Sequence, residues 1–486
     1  MKKAGRTLDE KQKRKRPEHQ GRDVYPAASE NLDEAPMPFP RESCDTVHAD
    51  TEAHRLSNCS CRDMAISTKA LSLLLFPALA ALWKFTSPLI AEILPLYKEV
   101  VHLHPGSGIQ IDNATQYAIL DFIGLVEQHG YSAEEHNVTT SDGYILRLHR
   151  ISGAPTRPKA PGKPVVYLQH GIGLSSDSWV LIGPRTDLAF LLVDAGYDVW
   201  MGNVRGNTYS RAHVSKDPNS ESYWSFSYHE IALYDISAFI DAILDKTGAP
   251  NLTYFGYSMG TTLSYALLST FPEYNDKINM VYSAAPVVFW GFELQKLVKF
   301  LDVIFDPLKE FIAYFNFRGL LPQTAVSAEI GKTFCGDEST LTQPLCAKAF
   351  CNIGLDCDRF NKTALPSIMA HYPAGMSTLT VYHYNQNYKK NTFQAYDYGG
   401  LENMIKYGQP EPPYYNLTKV TVPVSIWYAE GDDIVNPKDA LALAKALPNL
   451  VSVNAVEYEK FNHFDFLWAK DVKQLFYDKL PVIKDL

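Results

Sequence analysis

The pentapeptide Gly-Tyr-Ser-Met-Gly at residues 256–260 constrains the fold of this chain more than any other segment. It joins an apolar, strand-like run at 252–255 to a helix-like run at 261–268. A Gly-x-Ser-x-Gly pattern between a strand and a helix is typical of a sharp turn that raises a serine hydroxyl above a sheet edge. A base can reach the hydroxyl there and activate it. The segment therefore predicts an α/β architecture with Ser258 as a nucleophile.

Strand-like and helical patterns alternate along the chain on both sides of this turn. Strand-like segments lie at 138–150, 165–169, 198–201, 252–255 and 281–284, and helical patterns lie at 188–195 and 228–246. Such alternation predicts βαβ units and a mostly parallel sheet with helices on both faces. It stops at residue 288, so we expect a core in two parts, 100–287 and 420–486, with an inserted, mainly helical cap at 288–419.

A serine nucleophile of this kind needs an acid and a base that follow it in the chain. His463 is the only histidine beyond residue 383, and it lies in a short loop between a strand-like segment and a final helix predicted near 471–480. The buried-strand pattern at 422–429 leads into Asp432 and Asp433 at the same predicted sheet edge. A carboxylate there can orient the imidazole and stabilise its cation. The spacing favours Asp432 as the acid, and Asp433 remains the alternative, with a turn or capping role otherwise.

The end of another strand-like segment indicates which backbone N–H groups stabilise a developing oxyanion. The near-continuous apolar segment at 164–169 ends in His-Gly-Ile-Gly at 170–173. Loops of this type supply one backbone N–H, and the residue after the nucleophile supplies a second. We therefore expect the N–H groups of Ile172 and Met259 to form the oxyanion hole, with His170 supporting the loop.

From His129 to its C-terminus the chain resembles the acid lipase family, which includes gastric lipase and lysosomal acid lipase. The matching motifs are His-Gly-Tyr at 129–131, Leu-Gln-His-Gly at 168–171, Gly-Asn-Val-Arg-Gly-Asn at 202–207, His-Tyr-Pro-Ala-Gly at 371–375 and His-Phe-Asp-Phe-Leu-Trp at 463–468. The resemblance implies an α/β-hydrolase fold and a triacylglycerol or steryl ester lipase that forms an acyl-enzyme. It also implies a Ser258, Asp432 and His463 triad.

The chain departs from the vertebrate digestive members of that family on both sides of the serine. Those members have His and Gln where this chain has Tyr257 and Met259. Because the oxyanion hole uses the backbone N–H of Met259, the difference bears on pocket polarity and substrate preference more than on the chemistry.

The predicted cap is rich in apolar and aromatic residues at 289–294 and 297–317. Most of these side chains should pack inside the cap, and an apolar wall facing the serine suits acyl chains. We therefore expect a lipid ester substrate, met at a lipid droplet, micelle or membrane interface. The alternatives are an inactive lipid-binding or storage protein on the same fold and a serine hydrolase of short esters or thioesters.

The composition of the chain argues against several other classes of partner. A chain of 486 residues with 46% hydrophobic residues can bury a full α/β core and carry an insertion. Its net charge of -9 and the lack of a basic, aromatic-interleaved module argue against nucleic acid as a partner. The sequence has no phosphate-binding glycine loop and no zinc-spaced Cys/His set, so we expect neither cofactor nor metal. No feature of the sequence predicts an oligomeric state.

The N-terminal region has two parts. Residues 1–63 are polar, with eight Lys or Arg among the first 16, and predict a disordered extension. Residues 64–87 begin with Met64 and a charged hexapeptide and continue into a mainly apolar run, as a signal peptide does. Translation from Met1 would instead make this run a signal anchor. Either route predicts a secreted or lysosomal enzyme of the secretory pathway.

Cysteines and glycosylation sequons fit this route. Four clustered cysteines allow three disulfide pairings and lack a histidine at zinc spacing: Cys335, Cys346, Cys351 and Cys357. The family resemblance implies a bond between Cys335 and Cys346. Glycosylation candidates are Asn113, Asn137, Asn251, Asn361 and Asn416.

Overall fold

The computed structural model describes residues 119–293 and 354–484, with parts of the segment from 299 to 351. The predicted extension at 1–63, the predicted signal segment at 64–87 and Asn113 lie outside the described residues. Within the described ranges, no helix has the length and apolar character needed to cross a membrane.

The longer strands match the predicted ones with one correction. The bounds of the described strands are β1 Ser132–Thr139, β2 Tyr144–Gly153, β3 Val165–Gln169, β4 Asp198–Asn203, β5 Ala212–His213, β6 Leu252–Tyr257, β7 Ile278–Ala284, β8 Gly319–Leu320, β9 Met376–Ser377, β10 Val424–Tyr428 and β11 Leu450–Ala455. The two-residue strands β5, β8 and β9 are not among the predicted strands. The strand predicted at 138–150 is wrong as a single element, because a turn with Gly143 at φ 95° divides it into β1 and β2.

Nine of these strands form one sheet in the described part of the chain, in the order β1-β2-β4-β3-β6-β7-β10-β11, with β5 paired to β2. The pairs from β4 to β11 are parallel, and β2 is antiparallel to both β1 and β4. The predicted α/β fold is confirmed. Strands β3, β4 and β6 are buried at every position, which explains their apolar runs, whereas edge strand β11 alternates between partly buried and exposed residues.

Helices follow the parallel strands. Their bounds are α1 Phe122–Glu127, α2 Leu188–Ala195, α3 Tyr228–Glu230, α4 Ser237–Thr247, α5 Met259–Thr270, α6 Gln343–Cys351, α7 Leu365–His371, α8 Thr378–Lys390, α9 Gly400–Tyr407, α10 Pro437–Ala446, α11 Asp465–Trp468, α12 Val472–Leu475 and α13 Pro481–Lys484. A π-helical turn, Ile231–Ile236, joins α3 to α4, so the helix predicted at 228–246 is interrupted.

The helix predicted near 471–480 is wrong as a continuous element. It breaks at Phe476 between α12 and the 3₁₀ turn Tyr477–Lys479. Phe476 is fully buried against Phe466 and Trp427, with ring centroids 5.0 and 5.3 Å away. Tertiary packing at this aromatic residue therefore overrides the local helical pattern.

β7 and β10 pair directly in the sheet, but between them the chain leaves the sheet for the segment where the cap is predicted. Its described part contains α6, α7, α8 and the two-stranded β8–β9 ribbon. Disulfides join Cys335 to Cys346, as the family resemblance implies, and Cys351 to Cys357. Among the candidate glycosylation residues, Asn137 and Asn416 are exposed, and Asn251 and Asn361 are partly exposed. The cap bounds 288–419 and the use of these sequons remain predictions.

Candidate active site

The turn between β6 and α5 holds Ser258 in a strained conformation, with φ 52° and ψ -119°. Its glycines are required by close backbone contacts. A Cβ on Gly260 would lie 2.3 Å from the carbonyl oxygen of Gln169, and one on Gly256 would lie 2.8 Å from the carbonyl of Gly260. The N–H of Ser258 donates to the carbonyl of Ala284 at the end of β7, 3.0 Å away. The predicted elbow thus forms at the carboxyl edge of the sheet.

Three predicted site residues meet at this edge, and we call Ser258, His463 and Asp432 the candidate triad. The His463 Nε2 lies 2.9 Å from Ser258 Oγ, and its Nδ1 lies 2.8 Å from Asp432 Oδ2. The other oxygen of Asp432 accepts the N–H groups of Ile434 and Val435, both at 2.8 Å. The carboxylate is therefore held in one orientation, in which it can fix the tautomer of the imidazole.

The structure shows which of the two candidate acids contacts the imidazole of His463. Asp433 does not contribute the carboxylate bound to His463, because its Oδ2 accepts from the side-chain amide of Asn462 at 2.8 Å. The backbone N–H of Asp433 donates to the Oδ1 of the same Asn462 at 2.9 Å. Asp433 thus braces the loop that carries His463, while Asp432 contacts the imidazole.

The loop after β3 passes directly beside the nucleophile. A Cβ on Gly171 would lie 3.0 Å from the Cβ of Ser258. The Nδ1 of His170 lies 2.8 Å from the carbonyl oxygen of Gly171, and burial lowers the pKa of His170 to about 4. The ring is therefore neutral, and its Nδ1–H donates to that carbonyl. Because the peptide is trans, the N–H of Ile172 points away from the Gly171 carbonyl.

The second expected donor lies at the start of α5. Met259 is the first residue of that helix and is 3% exposed. The first N–H groups of a helix lack partners within the helix and carry its positive dipole end. A backbone N–H at this position suits a developing negative charge next to Ser258.

Comparison with known proteins agrees with this geometry. The family model described as alpha/beta hydrolase fold matches residues 164–470, and the one described as partial alpha/beta-hydrolase lipase region matches residues 122–183. Lipase 1 of Drosophila melanogaster is 37% identical over 384 residues, covering 77% of this chain and 82% of that protein. The chain belongs to the lipase family of α/β hydrolases. The predicted enzyme class, a carboxylic ester hydrolase, is confirmed.

Two mammalian members of the family are also similar to this lipase. The gastric triacylglycerol lipase of Bos taurus is 38% identical over 365 residues, covering 73% of this chain and 89% of that protein. The human gastric triacylglycerol lipase is 37% identical over 381 residues, covering 78% of this chain and 92% of that protein.

A small cavity in this lipase lies on the Met259 side of the candidate triad. Its lining combines the apolar side chains of Val204, Ile231, Met259 and Met376 with the polar side chains of His170, Arg205, Ser377 and Thr380. The methyl group of Met376 lies 2.7 Å from where a Cβ on Gly173 would be, so this side chain lies over the loop at 170–173. The buried hydroxyl of Thr380 has no hydrogen-bond partner among the described residues. Met259 thus contributes an apolar side chain to a cavity that also presents polar groups.

Two contacts of the His463 loop have no signal in the sequence. The Tyr257 hydroxyl donates to the carbonyl of His463. Asp465 is fully buried, and its carboxylate accepts the N–H of Asn462 at 2.8 Å and the N–H of Asp356 at 3.1 Å. Burial, the largest cause, raises the pKa of Asp465 to about 8. The contacts of Tyr257 with His463 and of Asp356 with Asp465 join segments far apart in the chain, which only the folded structure brings together.

Proposed function

We propose that this chain hydrolyses lipid esters, with triacylglycerols or steryl esters as substrates, through Ser258, His463 and Asp432. The observation that carries the proposal is the continuous hydrogen-bonded path from Ser258 Oγ through the imidazole of His463 to Asp432, at 2.9 and 2.8 Å. This path ends at a hydroxyl held above the sheet edge by a strained turn, where an ester carbonyl can approach it.

In the first half of the reaction, Ser258 Oγ attacks the ester carbonyl carbon while His463 Nε2 accepts the hydroxyl proton. The negative charge on the carbonyl oxygen is stabilised by the N–H groups of Ile172 and Met259. Collapse of the tetrahedral intermediate breaks the bond to the alcohol oxygen, which takes the proton from Nε2 as the alcohol leaves. The carboxylate of Asp432 orients and stabilises the imidazolium.

In the second half, water attacks the acyl group on Ser258. His463 Nε2 accepts a proton from that water and returns it to Ser258 Oγ as the fatty acid leaves. The same donors stabilise the second oxyanion. The two halves together consume one water and one ester bond.

Three observations support a lipid as the substrate. The relatives at 37% and 38% identity include gastric triacylglycerol lipases. The cavity beside Met259 has an apolar wall of Val204, Ile231, Met259 and Met376, which suits an acyl chain. The two disulfides fit an oxidising compartment, which supports a secreted or lysosomal enzyme working at a lipid droplet, micelle or membrane interface.

Product analysis of the purified protein tests the proposal. The panel comprises triacylglycerols, steryl esters and phospholipids, followed by one ester series of increasing acyl length. We expect release of long-chain fatty acid from triacylglycerol or steryl ester. Activity restricted to short acyl chains or thioesters would reject the lipase proposal. Absence of hydrolysis together with tight binding of the same lipids would indicate a binding protein.

A further inference from the structure

The residue before the nucleophile, Tyr257, reaches the loop that carries the base. Its hydroxyl donates to the backbone carbonyl oxygen of His463 at 2.9 Å, and the two rings lie 5.3 Å apart between centroids. Tyr257 is 1% exposed, and the ring of Trp179 packs edge-on against it at 6.4 Å. The phenol is therefore enclosed, with its one polar group aimed at a single backbone atom of the His463 loop.

Burial, with Asp432 among the smaller causes, raises the pKa of the Tyr257 phenol well above its ordinary value. The hydroxyl therefore keeps its proton at any pH at which an esterase works. A neutral phenol at this place can only donate to the carbonyl, so the contact persists across that range.

This hydrogen bond closes a ring of contacts around the reacting atoms. Ser258 is covalently joined to Tyr257, whose hydroxyl holds the backbone of His463, and the imidazole of that histidine returns to Ser258 Oγ at 2.9 Å. Asp432 fixes only the rotation of the imidazole, through Nδ1. Among the described contacts, the phenol is the one that ties the backbone of the base directly to the strand that ends at the nucleophile.

We propose that Tyr257 is a positioning residue that sets the separation of Ser258 and His463 through the His463 carbonyl. This inference rests on the proposed function, because it assigns Ser258 as the nucleophile and His463 as the base. Without the hydroxyl, the carbonyl loses its donor, and the loop keeps its contacts with Asp433 and Asp465 but loses its direct tie to the elbow. A misplacement of about 1 Å at a reacting group can cost roughly 10²-fold in rate.

Tyr257→Phe separates this role from simple packing, because phenylalanine fills the same space and lacks only the hydroxyl. The kinetic probe is a soluble p-nitrophenyl ester with a short acyl chain, and the chemical probe is a fluorophosphonate that labels the serine. We expect kcat and the labelling rate constant to fall together by about tenfold, while KM stays within about twofold, because ground-state binding is unchanged.

Tyr477→Phe is the matched control. The Tyr477 hydroxyl is equally buried and donates to the carbonyl of Phe466 at 2.7 Å, three residues beyond His463. Both variants lose one buried phenol-to-carbonyl hydrogen bond, so we expect similar decreases in melting temperature. Only Tyr257→Phe should lose kcat. Equal kcat and equal labelling rates in the two variants would overturn the positioning role.

The two probes also separate this inference from the proposed function. A wild-type protein that labels at Ser258 but hydrolyses no lipid ester rejects the lipid substrate, and a slower labelling of Tyr257→Phe then still supports positioning. A wild-type protein that the fluorophosphonate does not label at Ser258 overturns both.

Discussion

Two sets of serine, histidine and carboxylate stand out among the residues that the structure describes, and they differ in their surroundings. The second set, which we call the buried set, consists of Ser176, His149 and Glu135. The Ser176 Oγ lies 2.7 Å from His149 Nδ1, and the Nε2 of the same ring lies 3.2 Å from Glu135 Oε2. These distances are close to those in the candidate triad. Residue types and hydrogen-bond lengths therefore do not distinguish the two.

Backbone geometry and surroundings do distinguish them. Ser176 begins a 3₁₀ turn, is fully buried, and its N–H and Oγ both contact the side chain of Asn203. The ring of His149 is stacked on Phe122 with centroids 4.2 Å apart. In contrast, Ser258 is held on a strained turn with a helix start and a glycine loop beside it. A developing oxyanion needs backbone donors such as those at a helix start, whereas the N–H of Ser176 is already bonded to Asn203.

The largest expected effect is the contrast between Ser258→Ala and Ser176→Ala. Ser258→Ala removes the nucleophile, and we expect ester turnover to fall by about 10⁶-fold with the fold intact. Ser176→Ala should leave kcat within about twofold and cost roughly 1 kcal/mol of stability, through its lost hydrogen bonds. Initial rates on a soluble ester and thermal melts measure both. Comparable rate losses in the two variants would break the distinction between the sets.

Substitutions of the carboxylates also test the difference between the candidate triad and the buried set. Asp432→Asn keeps the shape of the acid but no longer stabilises the imidazolium, and we expect kcat to fall by about 10⁴-fold. Glu135→Gln alters the other set and should leave kcat nearly unchanged. Asp433→Asn is the control within the loop, since Asp433 binds Asn462. A larger loss in Asp433→Asn than in Asp432→Asn would reassign the acid.

The sequence predicts the framework of the candidate site because the relevant signals are local. The glycines of the elbow are required by backbone contacts within and next to the turn. Strands β3 and β6 are buried on both faces and so appear as continuous apolar runs. His463 needs no three-dimensional information either, because it is the only histidine in the required part of the chain.

The rest of the site depends on contacts between distant segments. Tyr257 and His463 are 206 positions apart, and Asp356 and Asp465 are 109 positions apart. No periodicity or spacing in the sequence links such pairs. The choice between two adjacent aspartates likewise depends on side-chain direction, which the turn at 430–433 determines only after β10 and the His463 loop have packed together.

The smallest expected effect is a difference in how two carboxyl groups contribute to stability as pH changes: Asp465 beside His463 and Glu135 in the buried set. The folded-state pKa of Asp465 is raised to about 8 from an ordinary 3.8, so the folded protein holds a proton that the unfolded chain releases. Its contribution to stability is full below about pH 4 and is lost as pH rises toward 8, by about 2 kcal/mol between pH 6 and pH 8. Asp465→Asn should therefore flatten the fall in melting temperature over that interval.

The stability contribution of Glu135, in the buried set, should depend on pH in the opposite direction. Its pKa is lowered, first by the hydrogen bond from His149, so its contribution is present above its ordinary pKa of 4.5 and is lost as pH falls through the lower folded value. Glu135→Gln should thus change the melting temperature at mildly acidic and neutral pH and not the slope between pH 6 and pH 8. Suppose that Asp465→Asn leaves that slope unchanged. The carboxyl of Asp465 is then ionised across the interval and does not cause the fall in melting temperature.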